Sequence, residues 1–307
     1  MNSRFVVVTF ALVLTLSGCV RYEDGRSAFD NRDFATAFAK WQLLAKFGDA
    51  KAQNELGWLY QEGLGTPPDA ATAVLWYRKA ASQGLAVAQT NLGIMLNDGI
   101  GVPRNPGEAA KWFELAARQG DPSALNNLGV LYDKGDGVPE NDVKSVELLT
   151  KAAELGHPRA MSNLGLMYKL GEGVPQDPVT AIRWFKAAAD KNDLQGINNL
   201  AVMLDQGLGT TTDPTSAMKL FETAARSGEP SAAVNLALML LRPNRETVRN
   251  NQSISDRSIV KAYAWLNFAA GMGNPQARDH RAKLQGHLSR EEIAAAQHLS
   301  LTWLSSR

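Results

Sequence analysis

The sequence predicts an all-α fold, a right-handed α–α superhelix in which helix pairs stack into a solenoid. Three observations predict it. Leu56, Leu92, Leu128, Leu164, Leu200 and Leu236 recur at a spacing of 36 residues. Paired glycines keep the same period as Gly63/Gly65, Gly99/Gly101, Gly135/Gly137, Gly171/Gly173 and Gly207/Gly209. Ala80-Ala81 returns as Ala116-Ala117, Ala152-Ala153, Ala188-Ala189 and Ala224-Ala225.

The first element is a leader, expected over residues 1–18. Arg4 carries its one charge, and Phe5 to Leu16 is an uncharged, mostly apolar run of twelve residues. A helix needs about 20 such residues to span a bilayer, so the run has the size of a signal-peptide core. Leu16-Ser17-Gly18 leads into Cys19, the single cysteine of the chain. This pattern resembles the bacterial lipoprotein signal. The resemblance implies a diacylglyceryl group on the Cys19 thiol, and cleavage that leaves Cys19 as the first mature residue. One acyl chain holds a membrane only marginally, and two or three hold it durably. In lipoprotein sorting an Asp after the cysteine retains the protein at the inner membrane. Val20 stands there instead, which implies the outer membrane, facing the periplasm. Residues 19–25 are then a lipidated tether.

Residues 26–48 read as a partial repeat that caps the array, with Ala37, Trp41, Leu44, Ala45 and Gly48 in repeat register. Full repeats are expected over 49–273. Ala52, Leu56 and Tyr60 lie on one face of a first helix. Gly63 and Gly65 break it. Ala73, Trp76, Tyr77, Ala80 and Ala81 then follow the spacing of a second, amphipathic helix, which Gly84 ends. Asp177-Pro178 and Asp213-Pro214 mark second-helix starts with a capping oxygen and a proline that needs no N–H. Asp121-Pro122, His157-Pro158, Glu229-Pro230 and Asn274-Pro275 place proline similarly at first-helix starts. Trp76, Trp112 and Trp184 share a slot that Leu148 and Leu220 fill elsewhere, and Trp together with Tyr or Phe is expected to fill the space between the helix layers. In the sixth unit the second helix returns as Ala262, Trp265, Leu266, Ala269, Ala270 and Gly273, displaced by nine residues, so an insertion is expected at about 242–260. Residues 274–307 are capping helices, the last opened by the capping box Ser289-x-x-Glu292 and covered by Ile293, Ala296 and Leu304.

The pattern Ala-x-x-x-Leu-Gly-x-x-Tyr, then Gly-x-Gly, then Ala-x-x-Trp-Tyr-x-x-Ala-Ala-x-x-Gly, complete in residues 52–84, resembles the Sel-one-like repeat family, a branch of the tetratricopeptide-like superhelices. Some secreted relatives staple each repeat with a disulfide. With one cysteine this chain cannot.

Composition narrows the function. With 32 Lys+Arg against 31 Asp+Glu, the chain lacks the basic surplus of a general nucleic-acid binder. A single cysteine rules out a zinc site built on several thiolates. His157 reads as a helix start. His280, His287 and His298 are separated by Gly286 and Ser289 and read as surface residues, so no metal and no cofactor is expected. Glu291-Glu292 suits a first helical turn. The glycine pairs lack the ending of a phosphate loop. Ser216-x-x-Lys219 and Ser258-x-x-Lys261 match one element of the penicillin-recognising hydrolases without the other two.

Sel-one-like proteins mostly bind other proteins on a concave surface lined by the first helix of each repeat. Asn91, Asn127, Asn163, Asn199 and Asn235 form a polar ladder there, just before the ladder leucines. Their amides suit the backbone of an extended partner, or they satisfy polar groups between repeats. Asn54, Asn126 and Asn198, one residue earlier in their repeats, are lesser candidates. In the insertion, Arg242, Arg245, Arg249 and Arg257 outnumber Glu246 and Asp256, and a loop outside the scaffold suits a specific contact. The expected function is a membrane-anchored scaffold of the bacterial cell envelope that binds a protein or peptide and acts on no small-molecule substrate. Two alternatives stand beside it: an envelope hydrolase of the penicillin-recognising class, and a surface-exposed binder of a host protein.

Overall fold

The structure, a computed structural model, describes residues 20–242 and 256–305. Sixteen α-helices and no strand form among the described residues. The predicted all-α architecture of consecutive helix pairs is the one that forms. The chain divides into two compact units, residues 1–155 and 156–307.

The first unit begins with α1 (Tyr22–Asp30) and α2 (Phe34–Lys46). The expected tether gives way to helix at Tyr22, because the Arg21 N–H donates to Asp24 Oδ2 at 2.8 Å and closes the first turn. Three helix pairs follow: α3 (Ala50–Glu62) with α4 (Ala70–Ser82), α5 (Ala86–Asp98) with α6 (Pro106–Arg118), and α7 (Pro122–Lys134) with α8 (Asp142–Glu154). Trp41 is fully buried at the start of this core. Its Nε1 donates to the Tyr22 carbonyl at 3.2 Å, and Tyr22 and Phe29 stack on its ring at 5.8 and 5.9 Å.

The second unit holds α9 (Pro158–Leu170) with α10 (Pro178–Asp190), α11 (Leu194–Gln206) with α12 (Pro214–Ser227), and α13 (Pro230–Leu240) with α14 (Asp256–Gly271). It closes with α15 (Pro275–Gln285) and α16 (Arg290–Ser305). Helix α14 begins inside the segment expected as insertion. The end is sealed by Trp303, a residue the sequence did not single out. Its ring stacks on Trp265 at 3.9 Å, and the Arg226 guanidinium sits 5.5 and 5.4 Å from the two ring centres. Ala296 is buried here, with Ile293 and Leu304 packed alongside.

The helix starts are fixed by side chains with repeat spacing. Asp49, Asp121 and Asp193 accept from the backbone N–H three residues on, at 2.8 Å in each case. His157 does so through Nδ1 at 3.2 Å. Asp177, Asp213 and Asn274 cap in the same way, and Ser289 and Glu292 exchange both bonds of the capping box.

The glycine pair Gly63/Gly65 does two jobs. Gly63 takes a left-handed φ of 70° and donates its N–H to the Leu59 carbonyl, which ends α3. Gly65 lies with its backbone against Phe34 and Ala35 at the start of α2, so a Cβ there would collide with the preceding helix pair.

The glycines after three of the ladder leucines, Gly57, Gly93 and Gly165, admit a ring, and Gly129 admits Leu149. A Cβ on Gly57 would come within 2.9 Å of the Tyr77 ring. Tyr77, Phe113, Leu149, Phe185 and Phe221, spaced by 36, are fully buried large side chains of the second helices. Burying side chains of this size contributes about 1.5–3 kcal/mol each. Of the rings expected between the layers, the Tyr and Phe members are the buried ones, and Trp76, Trp112 and Trp184 in the preceding slot are half-buried. The register sets the difference: the side chain that faces the small residue after the ladder leucine, as Tyr77 faces Gly57, is the one excluded from water.

Candidate partner-binding surface

The first helix of each repeat presents one polar and one apolar row. In the first unit the apolar row is Trp58, Ile94 and Val130, three residues beyond Glu55, Asn91 and Asn127. In the second unit it is Leu166, Val202 and Leu238, beside Asn163, Asn199 and Asn235. All six apolar side chains are half-buried. Spacings of three residues at a period of 36 were present in the sequence.

The asparagine ladder is half-buried throughout, and much of it faces inward. Asn91 Nδ2 donates to Asn54 Oδ1 at 3.0 Å, and Asn235 Nδ2 donates to Asn198 Oδ1 at 3.0 Å. Asn54, Asn126 and Asn198 are themselves buried. Asn126 Nδ2 donates to Asn127 Oδ1 at 3.2 Å. Asn163 is also engaged within the protein. Asn199 breaks the series, because its Nδ2 is buried with no partner. The slot that receives Asn91 and Asn235 holds Ser162 one repeat before Asn199, and the Ser162 hydroxyl donates to Asp193 Oδ1 at 2.6 Å instead. Thr90 takes this slot in the second repeat, and its Oγ1 is likewise buried without a partner. Within each unit one such pair, Asn54 with Asn91 and Asn198 with Asn235, binds repeat to repeat.

Of the arginine candidates, Arg242 lies at the end of α13. It donates through Nη1 to both carboxylate oxygens of Asp205, at 2.9 and 2.6 Å. The Asp205 side chain is only 7% exposed, so this pair ties two repeats together. Arg245, Arg249 and Cys19 lie outside the described residues.

In the first unit a cleft of about 220 Å³ opens between α5 and α7. Ile94, Phe113, Val130 and Leu131 supply its apolar lining, and Asn97 and Asn127 its amides. Asp98 stands at the rim. Pockets for drug-sized ligands run to about 300–1,000 Å³, so this cleft has room for a side chain. The Asn97 Oδ1 is buried with no partner. Asp133, one turn beyond Val130, has its carboxyl raised above the ordinary range, first by burial and then by the Asp142 carboxylate, and Lys134 opposes this.

The remaining polar candidates are placed elsewhere. His287 and His298 are exposed. The Ser216 N–H donates to Asp213 Oδ1 at 3.0 Å in the first turn of α12. Among the described residues no three His, Cys, Asp or Glu side chains come together, and no helix is long and apolar enough to cross a membrane.

Comparison with known proteins matches the Sel1 repeat in six consecutive segments, residues 50–85, 86–121, 122–157, 158–193, 194–229 and 230–274. A protective antigen present in uropathogenic Escherichia coli strains, which displays an SLR fold, is 30% identical with a TM-score of 0.68. That match covers 95% of this chain, and the chain spans 64% of the antigen's length. A Sel1 repeat protein from Oxalobacter formigenes is 31% identical with a TM-score of 0.68, covering 75% of this chain and 94% of its own. No curated protein is similar enough to match.

Proposed function

The chain belongs to the Sel1 repeat family, whose members are protein-interaction scaffolds, and on that premise we propose that it holds a protein or peptide partner on the face of its first helices. The observation that carries this reading is the half-buried row Trp58, Ile94 and Val130 beside the asparagine ladder. Apolar side chains repeated at one register offer a partner the desolvated contacts that dominate interface energies.

The setting we propose is the bacterial cell envelope, with the chain anchored through acyl groups on Cys19 at the outer membrane, facing the periplasm. The Gly18-Cys19 junction after an apolar run supports this. Labelling with a palmitate analogue should mark the wild-type protein and not Cys19→Ser. Equal labelling of both would overturn the anchor.

The chemistry we assign is binding without catalysis. Stoichiometric labelling by a fluorescent penicillin, lost on Ser216 or Ser258 replacement, would reverse that assignment.

The binding face is tested with a photo-crosslinking residue placed singly at Ile94, at Val202 and, on a second helix, at exposed Val143. Discrete adducts in intact cells are expected at Ile94 and Val202. Adducts at Val143 alone, or at none of the three, would reject the face.

A further inference from the structure

In the first repeat, the Tyr77 hydroxyl donates to Gln61 Oε1 at 3.1 Å, and Gln61 Nε2 donates to Glu62 Oε1 at 3.2 Å. The second repeat keeps half of this arrangement. Asn97 takes the place of Gln61 and donates from Nδ2 to Asp98 Oδ1 at 2.8 Å. The ring in the slot of Tyr77 is now Phe113, which has no hydroxyl to donate. Loss of that donor accounts for the orphaned Asn97 Oδ1. Asn97 and Phe113 both line the cleft between α5 and α7.

The charges around the cleft have the same one-sided character. Two other acids near these loops are paired across repeats: Asp136 with Arg104, and Asp205, in the slot of Asp133, with Arg242. Among the described residues, neither Asp98 nor Asp133 has an ion-pair partner, although Lys134 adjoins Asp133. The cleft thus combines an acceptor lacking a donor, an unpaired carboxylate at the rim and an apolar wall.

A basic side chain meets all three demands. Its charged head carries only donors, and its methylene stem packs on apolar surface. We propose that this cleft receives a lysine or arginine side chain from an extended cationic segment of the partner protein. The charged head donates to Asn97 Oδ1 and pairs with Asp98, and the stem lies along Ile94 and Val130. This deepens the scaffold reading and rests on it.

The test uses the full chain and two labelled peptides, one alternating alanine with lysine and a twin with norleucine in place of lysine. Fluorescence anisotropy should give the lysine peptide about tenfold tighter binding than its twin. Asp98→Lys should weaken the lysine peptide by about tenfold. Glu147→Lys, the same charge change on the exposed face of α8, should alter it by less than about twofold. Phe113→Tyr supplies the missing hydroxyl. It should raise the melting temperature and weaken the lysine peptide by about threefold, because Asn97 Oδ1 then has its own donor. Equal binding of the two peptides would overturn the proposal. So would equal weakening by Asp98→Lys and Glu147→Lys, or a Phe113→Tyr protein that is more stable and binds unchanged. Photo-adducts at Ile94 alongside such a result would reject this subsite and leave the scaffold standing. Absence of adducts would reject the scaffold itself.

Discussion

Asn91 donates its side-chain N–H to Asn54, 37 residues earlier, across the seam between two repeats. Asn235 and Asn198 repeat the relationship at 3.0 Å. An amide buried at a seam stabilises only when its partner is present, since an unmade bond there leaves the full desolvation cost.

Removal of the inner amide, Asn54→Ala, is expected to destabilise the protein by about 1–2 kcal/mol. Asn199→Leu, at an amide whose Nδ2 is buried and unpartnered, is expected to be neutral or to stabilise by up to about 1 kcal/mol. Chemical denaturation of the two variants checks the order. A larger loss at Asn199 would mean that the seams are held by something other than these pairs.

Gly65, Gly101, Gly137 and Gly209, the second glycines of their pairs, are packing residues, and Gly84 measures what backbone conformation alone contributes. Gly84 has a φ of +90° with nothing within 4 Å of a Cβ, so Gly84→Ala should cost about 1 kcal/mol. Gly101 has a φ of +70° and also abuts Ala70 and Ala71. There the left-handed cost adds to a backbone collision, and Gly101→Ala should cost about 2–4 kcal/mol. Thermal melts of the two proteins, read side by side, settle the difference.

Arg242→Ala leaves the sheltered Asp205 carboxylate without its partner. The arginine is 56% exposed, so water recovers part of the loss, and about 1–2 kcal/mol is expected. Asp205→Leu combined with Arg242→Ala should restore part of that stability, because no charge then remains to be solvated. Capture of a partner at Ile94 should be the same in all three proteins.

Acid should unfold the protein through its caps. Asp33, Asp69, Asp177 and Asp213 hold their carboxyls below the ordinary 3.8, because each accepts from the side chain and then the N–H of the Thr or Ser three residues on. The folded protein thus favours the ionised form, and the unfolded chain takes up protons first as the pH falls. The stabilisation is complete above 3.8 and disappears as the pH drops through the lower folded-state values. Melting temperatures recorded at decreasing pH should decline there, and Asp69→Asn with Asp177→Asn should flatten the decline.

The period of 36 settled most of the fold before any coordinates. Helix starts are local, because an Asp, Asn or His oxygen or nitrogen reaches an N–H only three residues away. Helix ends are local too, because a glycine at Gly63 adopts a left-handed angle that other residues resist. The helix pairs followed from such short-range rules, and the family resemblance from their return at one period. What the residues at fixed spacing do for one another was settled only in three dimensions. Gly65 is small because of a carbonyl 31 residues earlier, Trp303 seals a core built by Trp265, and Asn97 lacks a donor because Phe113 lacks a hydroxyl. Each of these depends on contact across repeats or between the two helices of one, and sequence spacing carries the register of such contacts without their distance or direction.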